Sequence, residues 1–361
     1  MLDLKRDCYG NNMNVCMIGP ALSQRGGIVS VMQGLCNFLE RKGIGVEVIE
    51  STSGKRFLFR FCDFLKAWAL LVWGCSSRKF DVVHLHMASR GSCIRKTILA
   101  LSCWALRTPY VIHLHGGEFH IFFDKEIGSV GRSFIRFAFF KAGHVIALSD
   151  YWKKWIKENI GINVRVSIIF NGVPPIDRNE DNAVAPTVLF LGKLTKGKGV
   201  GELIEAMKDV SICLPSAVLE LAGDGEIEFY KEQASGLANV RFLGWISEPE
   251  RLAALSRATV LCLPSWNEGL PMSILEAMSA GLPVISTPVG GIPAAVEHEV
   301  TGLLVEPGNA KALAAAICKI LMNPASARLM GKEGQARHRQ SFSTEAMGAS
   351  CLEVYNSCLF N

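Results

Sequence analysis

Apolar positions along the 361-residue chain follow two alternating patterns. Short, mainly apolar runs end in most cases at glycine, proline or histidine. Stretches with helical spacing separate most of them. In the first half the runs fall at 14–18, 46–49, 80–86, 109–114, 145–149 and 167–170. In the second half they fall at 187–191, 217–222, 240–246, 258–263, 283–287 and 302–305. Runs that are apolar throughout, rather than at alternate positions, predict strands buried on both faces, as in a parallel sheet. Helical spacing predicts helices over 28–39, 92–107, 130–142, 200–207, 310–322, 326–340 and 344–358. The alternation predicts an α/β fold of two doubly wound domains facing each other across a cleft, with ligand loops at the strand C-termini. Pro174-Pro175 and the polar run 177–182 read as the linker, giving domains 1–178 and 183–343.

The second half contains one stretch dense in candidate chemistry. Ser265-Trp266-Asn267-Glu268-Gly269-Leu270-Pro271 leads into an apolar helix that carries Glu276. Pro271 suits a first helical position, where its missing N–H costs nothing. Gly281 with Pro283 behind it marks the helix end. Glu268 then lies in the loop and Glu276 on the helix. A helix N-terminus favours an anion such as a diphosphate. Glu276 could accept both hydroxyls of a ribose, and Glu268 those of an attached sugar. The alternative is a buried helix with two chance acids. A carboxylate in so apolar a helix is costly without partners, which favours the functional reading.

Other turns after predicted strands carry related chemistry. Lys193, Lys196 and Lys198 crowd the glycine turn after 187–191, a pattern suited to a diphosphate held by ammonium groups and backbone N–H together. Gly26-Gly27 opens a helix after the first strand, an anion-cradle design or a mere tight turn. His86 and His115 stand at strand ends, where open α/β sheets bind ligands. No GxGxxG or Walker sequence is present, which disfavours a nicotinamide dehydrogenase.

Composition adds three points. The net charge of +5 is unevenly divided. Residues 1–180 hold 24 Lys+Arg against 14 Asp+Glu, or +10, and residues 181–361 hold 14 against 19, or −5. A basic first half suits an anionic membrane surface or a phosphate-bearing acceptor, and no nucleic-acid motif appears. Basic aromatic segments at 55–80 and 130–142 suit either a membrane interface or a partly buried surface helix. Arg60, Asp63 and Lys66 argue against a membrane span over 57–75, and residues 1–13 show no secretory signal pattern. Twelve scattered cysteines without a CxxC pair suit reduced thiols in a cytoplasm.

With these residues in place, the chain resembles the retaining glycosyltransferases with two Rossmann-like domains, the GT-B fold, and in particular the group 1 family GT4. The resemblance runs over essentially the whole chain. It rests on Gly26-Gly27, His115-Gly116, Asn171-Gly172-Val173, Lys193, Lys198, Gly223-Asp224-Gly225, and Glu268 with Glu276. The run 115–119 is similar to bacterial members that build capsular or exopolysaccharide repeat units.

The resemblance implies the following roles. Gly26 and Gly27 lie against the donor diphosphate. Lys198 and Lys193 bind it and stabilise the leaving nucleotide. Position 193 is often arginine in the family, and lysine keeps the charge without the two-pronged grip. Glu276 holds the ribose. Glu268, with the backbone of Gly269 and Leu270, holds the donor sugar, which His115 approaches from the opposite domain. The base sits near Gly223, Gly244 and Ile246. A C-terminal helix over 344–361 packs back on the first domain. No metal and no cofactor are expected beyond a UDP- or GDP-sugar donor, and no Asp-x-Asp occurs. The implied acceptor is a lipid-linked or oligosaccharide hydroxyl. The implied location is peripheral, on the cytoplasmic face of the inner membrane, with no nucleic-acid partner. Retention could arise by front-face attack or through a covalent Glu268 intermediate. An epimerase or hydrolase of nucleotide sugars, or a non-catalytic binding protein, are the competing readings.

Overall fold

The computed structural model describes residues 13–52, 57–178 and 185–359. Residues 1–12, Lys55 and Arg56 of the basic aromatic segment, and positions 179–182 of the linker lie outside the described residues. So do the side chains of residues 57–59. The chain divides into two compact units, 1–172 with 344–361, and 173–343. The division precedes the double proline. Val173 bridges to Ser343, its N–H donates to the Phe342 carbonyl at 2.9 Å, and the Ile176 N–H donates to Ser279 Oγ at 2.9 Å.

The first unit is a six-stranded parallel sheet. Its strands are β1 (Asn14–Gly19), β2 (Gly45–Glu50), β3 (Val82–Met87), β4 (Tyr110–Leu114), β5 (His144–Ala147) and β6 (Val166–Ile168). Their order is β2-β1-β3-β4-β5-β6. Every residue of β3 and β4 is buried, as uninterrupted apolar runs require. The price is that His84, His86 and His113 are buried with them. The helix Thr344–Leu359 closes this sheet. Its Tyr355 hydroxyl lies 2.5 Å from His84 Nδ1, and its Ser357 hydroxyl lies 2.9 Å from His144 Nε2.

The second unit repeats the design. Its strands are β7 (Thr187–Leu191), β8 (Val218–Ala222), β9 (Val240–Gly244), β10 (Val260–Leu263), β11 (Val284–Ser286) and β12 (Gly302–Leu304). They run parallel in the order β12-β11-β10-β7-β8-β9. From β7 the chain builds outward through β8 and β9. It then returns to the other side of β7 with β10, β11 and β12. Neighbouring β7 and β10 therefore send their following segments in opposite directions, and the opening this leaves at their C-terminal ends is where such sheets bind ligands. The eleven cysteines among the described residues are all free thiols. No described helix is long and apolar enough to cross a membrane.

Candidate active site

In the second unit, the loops after β7 and β10 touch through their backbones. Gly199 adopts φ +71°, and a Cβ there would stand 2.1 Å from the Pro264 carbonyl oxygen. The Trp266 N–H donates to the Gly197 carbonyl at 2.9 Å. This approach brings Lys198 Nζ to 2.5 Å from Glu268 Oε1. Ser265 Oγ donates to the same carboxylate oxygen at 2.8 Å. The Glu268 side chain is almost buried and that of Lys198 partly exposed. The loop after β11 supplies a third wall. Gly290, at φ +57°, would place a Cβ 1.9 Å from the Glu268 carbonyl oxygen. The Gly291 N–H donates to the Gly269 carbonyl at 2.6 Å. Glu268, Gly269 and Leu270 are thus fixed from both sides, and Lys193 lies exposed on the first of the three loops.

The ends of β7, β8 and β9 also meet. A Cβ on Gly223 would fall 1.8 Å from the Gly192 carbonyl oxygen. The Gly223 N–H donates to the Gly244 carbonyl at 2.7 Å. Gly244 turns the chain at φ +66°, ahead of a half-buried Ile246.

Glu276 occupies a different environment from Glu268. Its helix is Met272–Ser279, and Pro271 sits one residue before the helix in an extended conformation rather than inside it. Glu276 is 6% exposed, and its Oε1 meets Arg251 Nη1 at 3.2 Å. Burial pushes its carboxyl up to about 7, against the pull of Arg251 and with a further push from Glu248. Burial outweighs the ion pair because Arg251 makes one contact and is itself a third exposed.

In the first unit, Gly26 precedes the helix Gly27–Arg41 at φ +142°, and its carbonyl accepts from the Val29 and Ser30 N–H groups. His115 stands half-buried just past β4 and belongs to an array of four imidazoles. The register pairs His86 with His113 across β3 and β4. Alternate residues share a face of a strand, so His84, His86, His113 and His115 line one side of the sheet. His86 Nδ1 lies 2.8 Å from His115 Nε2, and His84 Nε2 lies 3.2 Å from His113 Nδ1. Burial lowers all four, foremost over their mutual repulsion, with His84 and His115 pushed down to about 3. Three of the rings offer nitrogens within 4.8 Å of one another, a spacing that would admit a metal ion. Their planes argue otherwise. His84 and His86 stack at 4.3 Å with 11° between rings. In-plane lone pairs on stacked rings run side by side instead of converging. The array is built for hydrogen bonds, and it holds the imidazoles neutral.

The structure thus joins Lys198 with Glu268, and Gly223 with Gly244, and places Glu276 with Arg251. Sequence reasoning assigned no role to Arg251, Ser265 or Gly290. The glycine pair after a buried strand was the available signal for Gly290. Arg251, on a polar helix, offered none.

Comparison with known proteins bears on what this arrangement serves. Residues 25–176 match the model described as Glycosyltransferase Family 4, and residues 185–323 match that of Glycosyl transferases group 1. A glycosyltransferase of Methanocaldococcus jannaschii, itself uncharacterized, is 30% identical over 77% of this chain and 76% of its own length. A phosphatidyl-myo-inositol mannosyltransferase of Mycobacterium leprae is 30% identical over 77% and 74%. An amylovoran biosynthesis glycosyltransferase of Erwinia amylovora is 34% identical over 37% and 35%. Among solved structures, Anabaena HepE in complex with UDP superposes with a TM-score of 0.76 at 19% identity, over 96% of this chain and 100% of that one. Family models over both halves, and relatives at this identity across three quarters of its length, show that the chain belongs to glycosyltransferase family 4, the group 1 glycosyltransferases, and is a glycosyltransferase of the GT-B fold.

Proposed function

We propose that the protein is a retaining transferase that moves a hexose-type sugar from a UDP- or GDP-sugar to a hydroxyl of a lipid-linked saccharide, in surface polysaccharide synthesis at the cytoplasmic face of the inner membrane. The observation that carries the donor side is the Lys198–Glu268 pair at the strand switch point of the second unit. Lys198, with Lys193, takes the diphosphate, and Glu276 takes the ribose. Gly26 and Gly27 lie along the diphosphate, and the base rests near Gly223, Gly244 and Ile246. Both bonds from Ser265 and Lys198 fall on Glu268 Oε1. Acceptance from sugar hydroxyls therefore falls to Oε2, with the Gly269 and Leu270 backbone and His115 contributing further contacts to the sugar. HepE, solved with UDP, supports a nucleotide handle. The lysines neutralise the diphosphate, so no metal or cofactor is required for that task.

The anomeric C–O bond breaks with its electron pair passing to the β-phosphate oxygen. The acceptor oxygen bonds to the same face of the anomeric carbon, and its proton passes to the departing phosphate oxygen. A carboxylate already accepting from an ammonium and a hydroxyl is a weak nucleophile, which favours this front-face path over a covalent Glu268 intermediate. An epimerase or hydrolase would release nucleotide without an acceptor. Nucleotide release that depends on added lipid-linked saccharide supports the transferase, and release at the same rate without it refutes it.

Glu276 makes the donor assignment testable by pH. An ionised carboxylate accepts both ribose hydroxyls, whereas the protonated one gives up an acceptor site. With the carboxyl near 7, affinity for uridine or guanosine should rise between pH 6 and 8, by at most about tenfold. Glu276→Gln should bind weakly and without that rise. A pH-independent affinity in the unsubstituted protein, measured calorimetrically, would count against the ribose role.

The acceptor side draws on the surface of the first unit. Phe61 and Trp73 on the helix Phe57–Ser76, Ile94 on Gly91–Ala105, and Phe134 and Phe140 on Ser129–Lys141 are exposed apolar side chains on three helices of the first unit. The Trp68 indole donates to Ser102 at 2.9 Å, and Trp104 meets Phe137 edge-to-face at 5.0 Å, so the three helices are continuous. Lys141 lies over the Phe137 and Phe140 rings. Aromatic residues edged with cations suit the headgroup region of an anionic bilayer. The protein should float with phosphatidylglycerol vesicles at low salt, and Trp73→Glu with Phe140→Glu should abolish flotation. Sedimentation of the unsubstituted protein away from such vesicles would remove the membrane assignment.

A further inference from the structure

We propose that His86 is a positioning residue for His115, fixing which of its ring nitrogens carries the proton. The inference rests on the reading above only for what His115 then touches.

One proton lies between His86 Nδ1 and His115 Nε2, 2.8 Å apart. His86 is buried among imidazoles and near the buried Lys96, and burial likewise disfavours a charge on His115. Each is therefore neutral and has a single N–H. Two arrangements satisfy the bond. If His115 donates from Nε2, the proton of His86 must sit on its own Nε2. That atom is buried and has no hydrogen-bond partner, so an N–H would be stranded there. If His86 donates from Nδ1, only a bare lone pair is left at its Nε2. Buried N–H groups without acceptors are the rarer and costlier defect. The second arrangement wins, and the proton of His115 goes to Nδ1.

His115 is then a hydrogen-bond donor from the ring nitrogen that His86 does not engage. It cannot act as a base through the nitrogen bound to His86, and the low-lying titration keeps it uncharged through the neutral range. Ring rotation is opposed by the tilted His113 ring, whose centroid lies 4.0 Å away. A donor fixed at the C-terminal edge of β4 suits a ligand oxygen with lone pairs to offer, as a sugar hydroxyl has. The same ring presenting a lone pair would suit a hydroxyl proton instead. His86 decides between these two without touching the ligand.

The test combines a spectrum with a pair of variants. In full-length protein labelled with 15N-histidine, long-range 1H–15N correlation should show His115 protonated at Nδ1. In His86→Leu, which fills the space but donates nothing, that preference should be lost. Turnover efficiency should fall about ten- to hundredfold, largely in kcat. His86→Asn sets an amide N–H where Nδ1 stood. It should restore the tautomer and bring turnover to within about threefold of the parent. A purely packing role predicts the reverse order, with leucine tolerated better than asparagine. That order, or a His115 proton found on Nε2 in the parent protein, would overturn the proposal. His115→Ala with undiminished turnover would remove the sugar contact, while the tautomer assignment would still be decided by the spectrum alone.

Discussion

Alanine at Lys198 is expected to lower kcat by about 10²–10³, roughly 3–4 kcal/mol of transition-state stabilisation. Cleavage of the anomeric bond places negative charge on the departing diphosphate. Only contacts that strengthen as that charge develops can raise kcat. Lys198 is aimed in advance, its ammonium held at 2.5 Å by Glu268 and anchored on a loop packed against Pro264. Little reorganisation is needed when the charge appears. The melting temperature should move by only a few degrees, because the pair is partly exposed and Glu268 keeps its bond from Ser265. Steady-state rates at saturating donor decide the matter. A kcat within threefold of the parent would show that the diphosphate leaves without help from this side chain.

Alanine at Gly290 should affect both folding and turnover. Its φ of +57° costs a β-carbon about 1–2 kcal/mol. The larger problem is the Glu268 carbonyl oxygen 1.9 Å from the new atom. Neither group is the end of a flexible side chain, so one loop has to move. A loss of about 2–4 kcal/mol in stability, or roughly 5–10 °C in melting temperature, is expected. The movement also shifts the backbone of Glu268 and Gly269, so activity should fall at temperatures where the variant is still folded. A variant with parental melting and turnover would mean that the two loops separate freely.

Much of the fold was legible because parallel strands buried on both faces leave continuous apolar runs, and the glycines and prolines that end them punctuate the chain. Lys198 and Glu268 were legible as candidates for the same reason, since each follows such a run. Their bond to each other was not. They are 70 residues apart, and only the strand order, which crosses over at β7, makes their loops neighbours. Arg251 was invisible for a related reason, being one of several charges on the polar helix Glu248–Arg257 until Glu276 is seen beside it. The imidazole array was half legible. Period-2 spacing puts His84 with His86 and His113 with His115, but pairing them needs the β3–β4 register. The basic aromatic segments at 55–80 and 130–142 suited a membrane interface and a partly buried surface helix equally well in sequence. The middle helix, with exposed Ile94 and Trp104, reads as an ordinary core helix until its neighbours leave that side uncovered.

The helix Thr344–Leu359 has a consequence for biosynthesis. It completes the first sheet, where Tyr355 meets His84, yet a ribosome delivers it only after every residue of the second unit. The second unit has all its strands in hand as soon as its last helix emerges. The first must wait through that interval with one side of its sheet, and the imidazoles on it, still lacking a lid. The first unit is therefore finished last, and a stop codon within 344–359 would damage it although most of its residues precede the second unit.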